Sequence, residues 1–380
     1  MLSVVIVAGM HAEARRATTE ALLHAVPGAV ALHHDLTGAA GSTVTSSLRD
    51  GDGTTDVREV PLVNECACCA LRDDLVPELE RLAACGTHPL AVVELWDSVE
   101  PQSMAEVVAA HTSERISLDG VVTAVDPALV LPCLANGDGL DESGLAAAPG
   151  DGRTVADTFA RQLEYPPVLV LVDGPEAADE ADHALLRQLH PTARRLRTSD
   201  PGFATAVRPG FDPEAAAGRR HPACALLPHD DHAHGVATAV WRARRPFHPG
   251  RLFAALEDLA CVAVRSRGRF WLADRPDTLV SWECAGGALC VESTGPWLAA
   301  LPDAAWELVP AERRAAAALD WDPEHGDRVQ HLVFTAPELP TDELARVLDS
   351  CLLSDTEYAA GPDTWAGYRS EFDAFLAPAG

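Results

Sequence analysis

Three cysteines stand within four positions, Cys66-Ala67-Cys68-Cys69. Thiolates are soft ligands, so this density suits Zn²⁺ or Cu(I) rather than Mg²⁺ or Ca²⁺. Disulfide geometry restricts how two Cβ vectors can point, which makes such close neighbours poor partners for one another. Asn64-Glu65 before the run and Leu71-Arg72-Asp73-Asp74-Leu75 after it set it apart from an apolar core segment. A turn has to aim the three sulfurs at one ion ~2.3 Å away, and thiol deprotonation makes that binding pH-dependent. Glu65 could supply a carboxylate as fourth ligand. His33 and His34 are rivals for that place, and their plainer reading is a strand-end pair facing water. A second tract, from Cys224 through His229, His232 and His234, also carries zinc-type ligands; its plainer reading is a solvated linker. Adjacent thiols suit a redox switch too, with Cys85 the near candidate for a resolving partner.

Composition narrows the setting. The chain of 380 residues is long enough for two domains with separate cores. Its formal net charge of −28 opposes general binding of nucleic acid, and docking on an anionic membrane. Ten cysteines without regular spacing form no disulfide framework. Met1 to Met10 lacks a basic start and reads as a strand, and no apolar stretch approaches the ~20 residues of a spanning helix. A cytoplasmic protein with reduced thiols is expected. All 29 Lys+Arg residues are arginine, so no mechanism can call on a lysine ammonium.

The elements that must position these residues read as follows. Leu2-Ser3-Val4-Val5-Ile6-Val7-Ala8 is an apolar run ending at Gly9, the pattern of a buried parallel strand. A helix is expected from Glu13 to Ala25, a strand over Ala29-Val30-Ala31-Leu32, a loop over 37–56, and a strand over 59–63. Leu71 to Ala84 has helical spacing, with Glu78 and Glu80 expected on the wet side. Further buried strands are expected over 90–95, 118–125 and 167–172. Apolar strands alternating with helices imply a parallel sheet covered on both faces, with ligands beyond the strand carboxyl ends. Gly9, Glu94 and Asp173 sit at such ends. A linker is expected over 201–235. A second unit follows, with strands over 236–241 and 269–273, a helix over 250–259, and tryptophans as core and turn anchors.

Taken together these residues resemble the CobW-like branch of the P-loop GTPases that serve metal centres, relatives of HypB and UreG. Asn64-Glu65-Cys66-Ala67-Cys68-Cys69-Ala70-Leu71-Arg72-Asp73-Asp74-Leu75 is similar to the family's Asn-Gly-Cys-x-Cys-Cys-x-x-Arg-x-Asp-Leu signature. Glu94, Asp97 and Pro101 fall on its Glu-x-x-Gly-x-x-x-Pro, and His190-Pro191-Thr192-Ala193 resembles its Asn-Pro-x-Ala. Arg245-Pro246-Phe247-His248-Pro249, Arg265 to Leu272, Gly295-Pro296-Trp297 and Gly326-Asp327-Arg328 look like a CobW C-terminal domain. The resemblance implies a P-loop NTPase-like α/β fold, a mostly parallel sheet with helices on both faces, plus a smaller α+β C-terminal domain. The expected organisation is a nucleotide-binding domain over 1–200, a His-containing linker over 201–235 and the C-terminal domain over 236–378.

The departures fall where nucleotide chemistry lives. A Walker A loop needs Gly-x-x-x-x-Gly-Lys-[Ser/Thr], whose amides cradle phosphates while Lys and the hydroxyl reach oxygens and Mg²⁺. Here the slot reads Gly9-Met10-His11-Ala12-Glu13-Ala14-Arg15-Arg16-Ala17-Thr18-Thr19, and neither register preserves the motif. Asp97 replaces the glycine that would offer its amide to the γ-phosphate. The guanine-reading Asn-Lys-x-Asp leaves one candidate acid, Asp173. The resemblance still assigns Gly9, Arg15, Arg16, Thr18 and Asp173 to a nucleotide and Glu94 to Mg²⁺ or its water, because amides at a helix N-terminus attract anions without a lysine. The expectation is therefore a zinc-binding metallochaperone that serves a client metalloprotein, with GTP binding and hydrolysis weakened or lost. An active zinc-dependent GTPase and a thiol redox switch are the alternatives.

Overall fold

The computed structural model describes residues 1–38, 43–61, 67–148 and 150–376, of which 67–71 as backbone only. They form two compact units. One holds Met1–Leu186 with His190–Ala217, the other Arg187–Leu189 with Gly218–Gly380.

The described residues of the first unit build strands β1 (Leu2–Ala8), β2 (Val30–Asp35), β3 (Thr43–Asp50), β4 (Gly53–Pro61), β5 (Leu90–Glu94), β6 (Ile116–Val125), β7 (Val168–Leu171) and β8 (Arg194–Arg197). The principal helices are α1 (Ala12–Ala25), α2 (Ala67–Cys85), α3 (Pro101–His111), α4 (Val130–Leu134), α5 (Val155–Glu164) and α6 (Glu180–Leu189). The strands make one eight-stranded sheet in the order β4-β3-β2-β5-β1-β6-β7-β8. From β2 to β8 every pair is parallel, while β2–β3 and β3–β4 are antiparallel.

Strand alternation explains why β1 reads as an unbroken apolar run. Successive side chains point to opposite faces, so Leu2, Val4, Ile6 and Ala8 join Leu75, Leu79, Met104 and Val108 of α2 and α3 in one core. Val5 and Val7 join Ala14, Leu22 and Leu23 of α1 in the other. Helices cover both faces, and this P-loop NTPase-like architecture places the carboxyl ends of β1 and β5 beside the start of α1.

Two expectations need correction. The stretch read as a loop over 37–56 instead carries the β3–β4 hairpin. Its tight turn is held by the Asp50 carboxylate, which accepts from the amides of Asp52 at 2.9 Å and Gly53 at 3.1 Å. Most of β4 is exposed on both faces, so no burial alternation marked it in the sequence. Glu78, expected on the wet side, is 6 % exposed. It is drawn inward by Arg81 at 2.5 Å and Arg58 at 3.4 Å, which hold its carboxyl below the usual range.

Residues 201–235, read as linker, hold the helices α7 (Phe203–Ala206) and α8 (Pro213–Arg220) and the strand β9 (Asp231–Ala233). The second unit continues with β10 (Val236–Ala243), α9 (Pro249–Cys261), β11 (Arg265–Phe270), β12 (Thr278–Ala285), β13 (Ala288–Pro296), α10 (Ala311–Asp320), β14 (Gln330–Pro337) and α11 (Thr341–Cys351). Its sheet is antiparallel throughout, in the order β13-β12-β11-β14-β10-β9. Leu252 and Leu259 of α9 and Leu344 and Leu348 of α11 pack with Trp241, Phe270, Trp282 and Phe334 of the sheet in a single core. Trp282 and Trp297 are buried anchors as expected, whereas Trp321 is 47 % exposed and meets Trp306 edge-on. Among the described residues no helix is long and apolar enough to cross a membrane.

Candidate nucleotide and metal sites

Between β1 and α1 lie only Gly9, Met10 and His11. A phosphate-cradling loop runs about six residues from first glycine to second, so the amide cradle is too short here. Gly9 has φ +135°, and a Cβ on it would stand 2.2 Å from the carbonyl oxygen of Ala124 on β6. The glycine is thus required by the close approach of two backbones. His11 is buried; its Nδ1 accepts the Asp126 amide at 2.9 Å, and its Nε2 lies 3.4 Å from Cys133 Sγ. That pairing assigns the proton to Nε2. Burial, aided by the Arg15 charge, lowers the His11 pKa to about 4, and burial pushes the Cys133 thiol up to about 11.

Arg15 lies on the first turns of α1, 2 % exposed. Its guanidinium donates to the Gly9 carbonyl and to the Asp97 carboxylate. The cation assigned to phosphate is therefore bonded inside the protein. Asp97, whose charge would repel a phosphate, neutralises that arginine instead. Glu94, at the end of β5, is bonded in the same way by Arg49 of β3. Its carbonyl oxygen accepts from Nδ1 of His33 on β2 at 3.0 Å. Burial is the main cause lowering the His33 pKa. Thr18 is fully buried and donates to the Ala14 carbonyl at 2.8 Å, a back-bond within α1 that turns its hydroxyl away from any Mg²⁺. Arg16 alone of the proposed phosphate ligands is exposed. It borders a cavity of about 290 Å³ whose walls include Glu13, Asp35, Glu94 and Asp97. Glu94 and Asp97 are paired with Arg49 and Arg15, so Glu13 and Asp35 are the wall carboxylates left to balance Arg16. Asp173 is half-exposed and paired with Arg197 at 2.5 Å, which holds its carboxyl below the usual range. Arg15, Thr18 and Glu94, assigned to phosphate and Mg²⁺ by the resemblance, are thus each bonded within the chain.

The cysteine run is a different matter. Glu65 and Cys66 lie outside the described residues, and Cys68 and Cys69 enter only as backbone in the first turn of α2. The anchoring of α2 is nevertheless visible. Asp74 accepts from His34 Nε2 of β2 at 2.8 Å, from the Ser46 hydroxyl of β3 at 2.9 Å, and from Arg58 of β4 at 3.0 Å. His33 and His34 thus serve neighbouring elements rather than lying exposed as a pair. The tract after Cys224 is not gathered either. Cys224 donates to the Gly218 carbonyl at 3.0 Å, while His229, His232 and His234 are exposed along β9 and its turns. No cluster of three His, Cys, Asp or Glu side chains suited to a metal occurs among the described residues. Arg49 and Asp74 were missed by sequence reasoning. Asp74 lies within the cysteine signature, a signal that was available, whereas Arg49 sat in a stretch without periodicity.

The fold and site define a P-loop-type α/β domain, its nucleotide pocket altered, joined to an α+β partner. Two family descriptions match the chain: "CobW/HypB/UreG, nucleotide-binding domain" over residues 45–202 and "Cobalamin synthesis protein cobW C-terminal domain" over 236–352. The first begins downstream of β1, α1 and β2. The chain is 34% identical over 362 residues to the zinc chaperone Rv0106 of Mycobacterium tuberculosis, spanning 91% of this chain and 87% of that one. It is 27% identical over 328 residues to the zinc-regulated GTPase metalloprotein activator 1 of Dictyostelium discoideum, spanning 80% and 68%. The Zn(II)-bound YjiA GTPase from E. coli aligns over 93% of this chain and 99% of its own at 15% identity and TM-score 0.34, too loosely to bear on the site. The chain belongs to the CobW/HypB/UreG family.

Proposed function

We propose that this protein is a zinc carrier rather than a working GTPase. It takes Zn²⁺ as cargo through Cys66, Cys68 and Cys69 and passes it to a client metalloprotein in the cytoplasm. The observation that carries the choice is the buried Arg15 guanidinium, bonded to the Gly9 carbonyl and to Asp97. With Arg49 on Glu94, it satisfies inside the chain the two charges that a GTPase keeps for phosphate and for Mg²⁺. Support for zinc comes from the thiolate density and from the relative named as a zinc chaperone. Three thiolates leave one position for Glu65 or for an incoming client ligand, which suits transfer better than storage. The network from Asp74 to β2, β3 and β4 gives α2, the helix that carries Cys68 and Cys69, a fixed seat.

One preparation tests both halves. Metal analysis and chelator competition are expected to give about one tight zinc equivalent, lost when Cys66→Ala, Cys68→Ala and Cys69→Ala are combined. Calorimetry with GTP and Mg²⁺, with and without zinc, is expected to show no heat and no phosphate release. Full zinc affinity in the triple variant would overturn the carrier reading. Turnover of GTP would restore the zinc-dependent GTPase.

A further inference from the structure

The segment that carries Asp97 is tied down along its backbone. It leads from the end of β5 to the start of α3 at Pro101. The Leu95 amide donates to the Val7 carbonyl at 2.9 Å, and the Val99 amide donates to the Trp96 carbonyl at 3.1 Å. Side chains take the next three carbonyls. Gln162 Nε2 donates to the carbonyl of Asp97 at 2.7 Å and to that of Val99 at 3.1 Å. Arg153 donates to the carbonyl of Ser98 between them at 3.0 Å. Every carbonyl from Trp96 to Val99 therefore has a partner inside the first unit.

The donors are themselves held. Gln162 lies on α5, fully buried, and its backbone carbonyl accepts from the Thr123 hydroxyl of β6 at 2.6 Å. With acceptors on both of its N–H bonds, the side-chain amide can face only one way. Its side-chain oxygen is buried without a partner. An apolar residue of the same size would avoid that cost, so the two bonds to the segment are what this glutamine contributes. Arg153 is oriented by Asp151 at 2.7 Å and also reaches Glu100 at 3.1 Å.

In a nucleotide switch, loops around the phosphates order and release as the γ-phosphate arrives and leaves. We propose that Gln162, with Arg153 as a second arm, is a positioning residue that fixes residues 96–100 in one conformation and so keeps Asp97 on Arg15. The segment is a strut. Moving it breaks all three side-chain bonds together, and the rigid, buried face of α5 gives the donors nowhere to follow. The clamp uses no cysteine, so it stands or falls apart from zinc binding.

Hydrogen–deuterium exchange of the full chain, read by mass spectrometry, tests it. Residues 96–100 are expected to exchange at least about tenfold more slowly than the exposed residues 173–177. Millimolar GTP with Mg²⁺ should leave that rate unchanged. Gln162→Met, similar in length but without donors, should raise it at least about tenfold beyond any change in β1. Arg153→Met, at a partly exposed position, should raise it about threefold; this variant and the GTP arm decide the matter if Gln162→Met does not fold. A second readout isolates positioning: Asp97→Ala should lower the thermal midpoint less in the Gln162→Met background than in the parent. Fast exchange of 96–100 in the parent, a change on adding GTP, variant rates that move only in step with β1, or equal losses from Asp97→Ala in both backgrounds would each overturn the proposal. Calorimetric heat from GTP with no change at 96–100 would count against the carrier reading and support the strut.

Discussion

Replacing Asp97 by alanine removes the counter-charge of a guanidinium that is itself 2 % exposed. Deleting one partner of a buried ion pair costs about 3–5 kcal/mol, because the remaining charge stays uncompensated. The Asp97 side chain is 17 % exposed, so water reaches one side of the pair. Arg15 also keeps its bond to the Gly9 carbonyl. The expected loss therefore sits at the lower end, about 3 kcal/mol. For a domain of this size each kcal/mol moves the midpoint by about 2–4 °C, which gives a fall of roughly 6–12 °C in the first unit's transition. Differential scanning calorimetry of the full chain reads it, with the two units fitted as separate transitions because a two-domain chain is not two-state. A companion variant, Arg15→Met with Asp97→Leu, removes both charges and is expected to recover to within about 1 kcal/mol of the parent. The reasoning fails if Asp97→Ala costs less than about 1 kcal/mol, the range of an exposed pair. It fails equally if the double variant is no better than Asp97→Ala alone.

Other expected outcomes concern the same region. His11 has a folded pKa of about 4 against the ordinary 6.5, so the unfolded chain takes up the proton first as pH falls. Its stabilisation is complete above pH 6.5 and drains toward pH 4, at up to about 1.4 kcal/mol per pH unit. His11→Gln should flatten the first unit's stability curve over that window, and a variant curve parallel to the parent's would refute the assignment. Gly9→Ala should destabilise by at least about 2 kcal/mol, since a methyl cannot share space with the Ala124 carbonyl at φ +135°; chemical denaturation measures it, and a neutral result would refute the close approach. Glu94→Gln should cost about 2 kcal/mol through Arg49, between the values for exposed and buried pairs. It should leave zinc uptake untouched, whereas lost uptake would tie Glu94 to the metal.

The parallel core was legible because burial on both faces leaves a signature in composition. β1, β5, β6 and β7 are apolar runs bounded by polar or glycine residues, and the observed strands start and stop within a few residues of the expected ones. β3 and the first part of β4 were not legible, although the end of β4 falls within the strand expected over 59–63. β4 leaves most of its residues in water and so has no alternation to detect, while the buried positions of β3 include a serine, Ser46, and its Thr and Ser content reads equally as loop. That omission hid Arg49 and with it the neutralisation of Glu94. The loss of the Walker residues was plain in the sequence, but the fate of Arg15 was not. Motif alignment placed it near a phosphate, whereas its partners, Gly9 and Asp97, are set by how α1 packs beside β5. Glu78 failed for a similar reason: helical periodicity predicts which face a residue occupies, not the arginines that draw a carboxylate inward.

A switch protein acquires and sheds its counter-ion, and so has two forms to visit. Here that counter-ion is tethered to the polypeptide between Gly9 and Asp97, and neither dilution nor dialysis can strip it away. In the zinc-carrier function proposed above, the domain would complete its fold without waiting for a nucleotide. Under that proposal, a signal that times zinc release would enter from elsewhere on the chain.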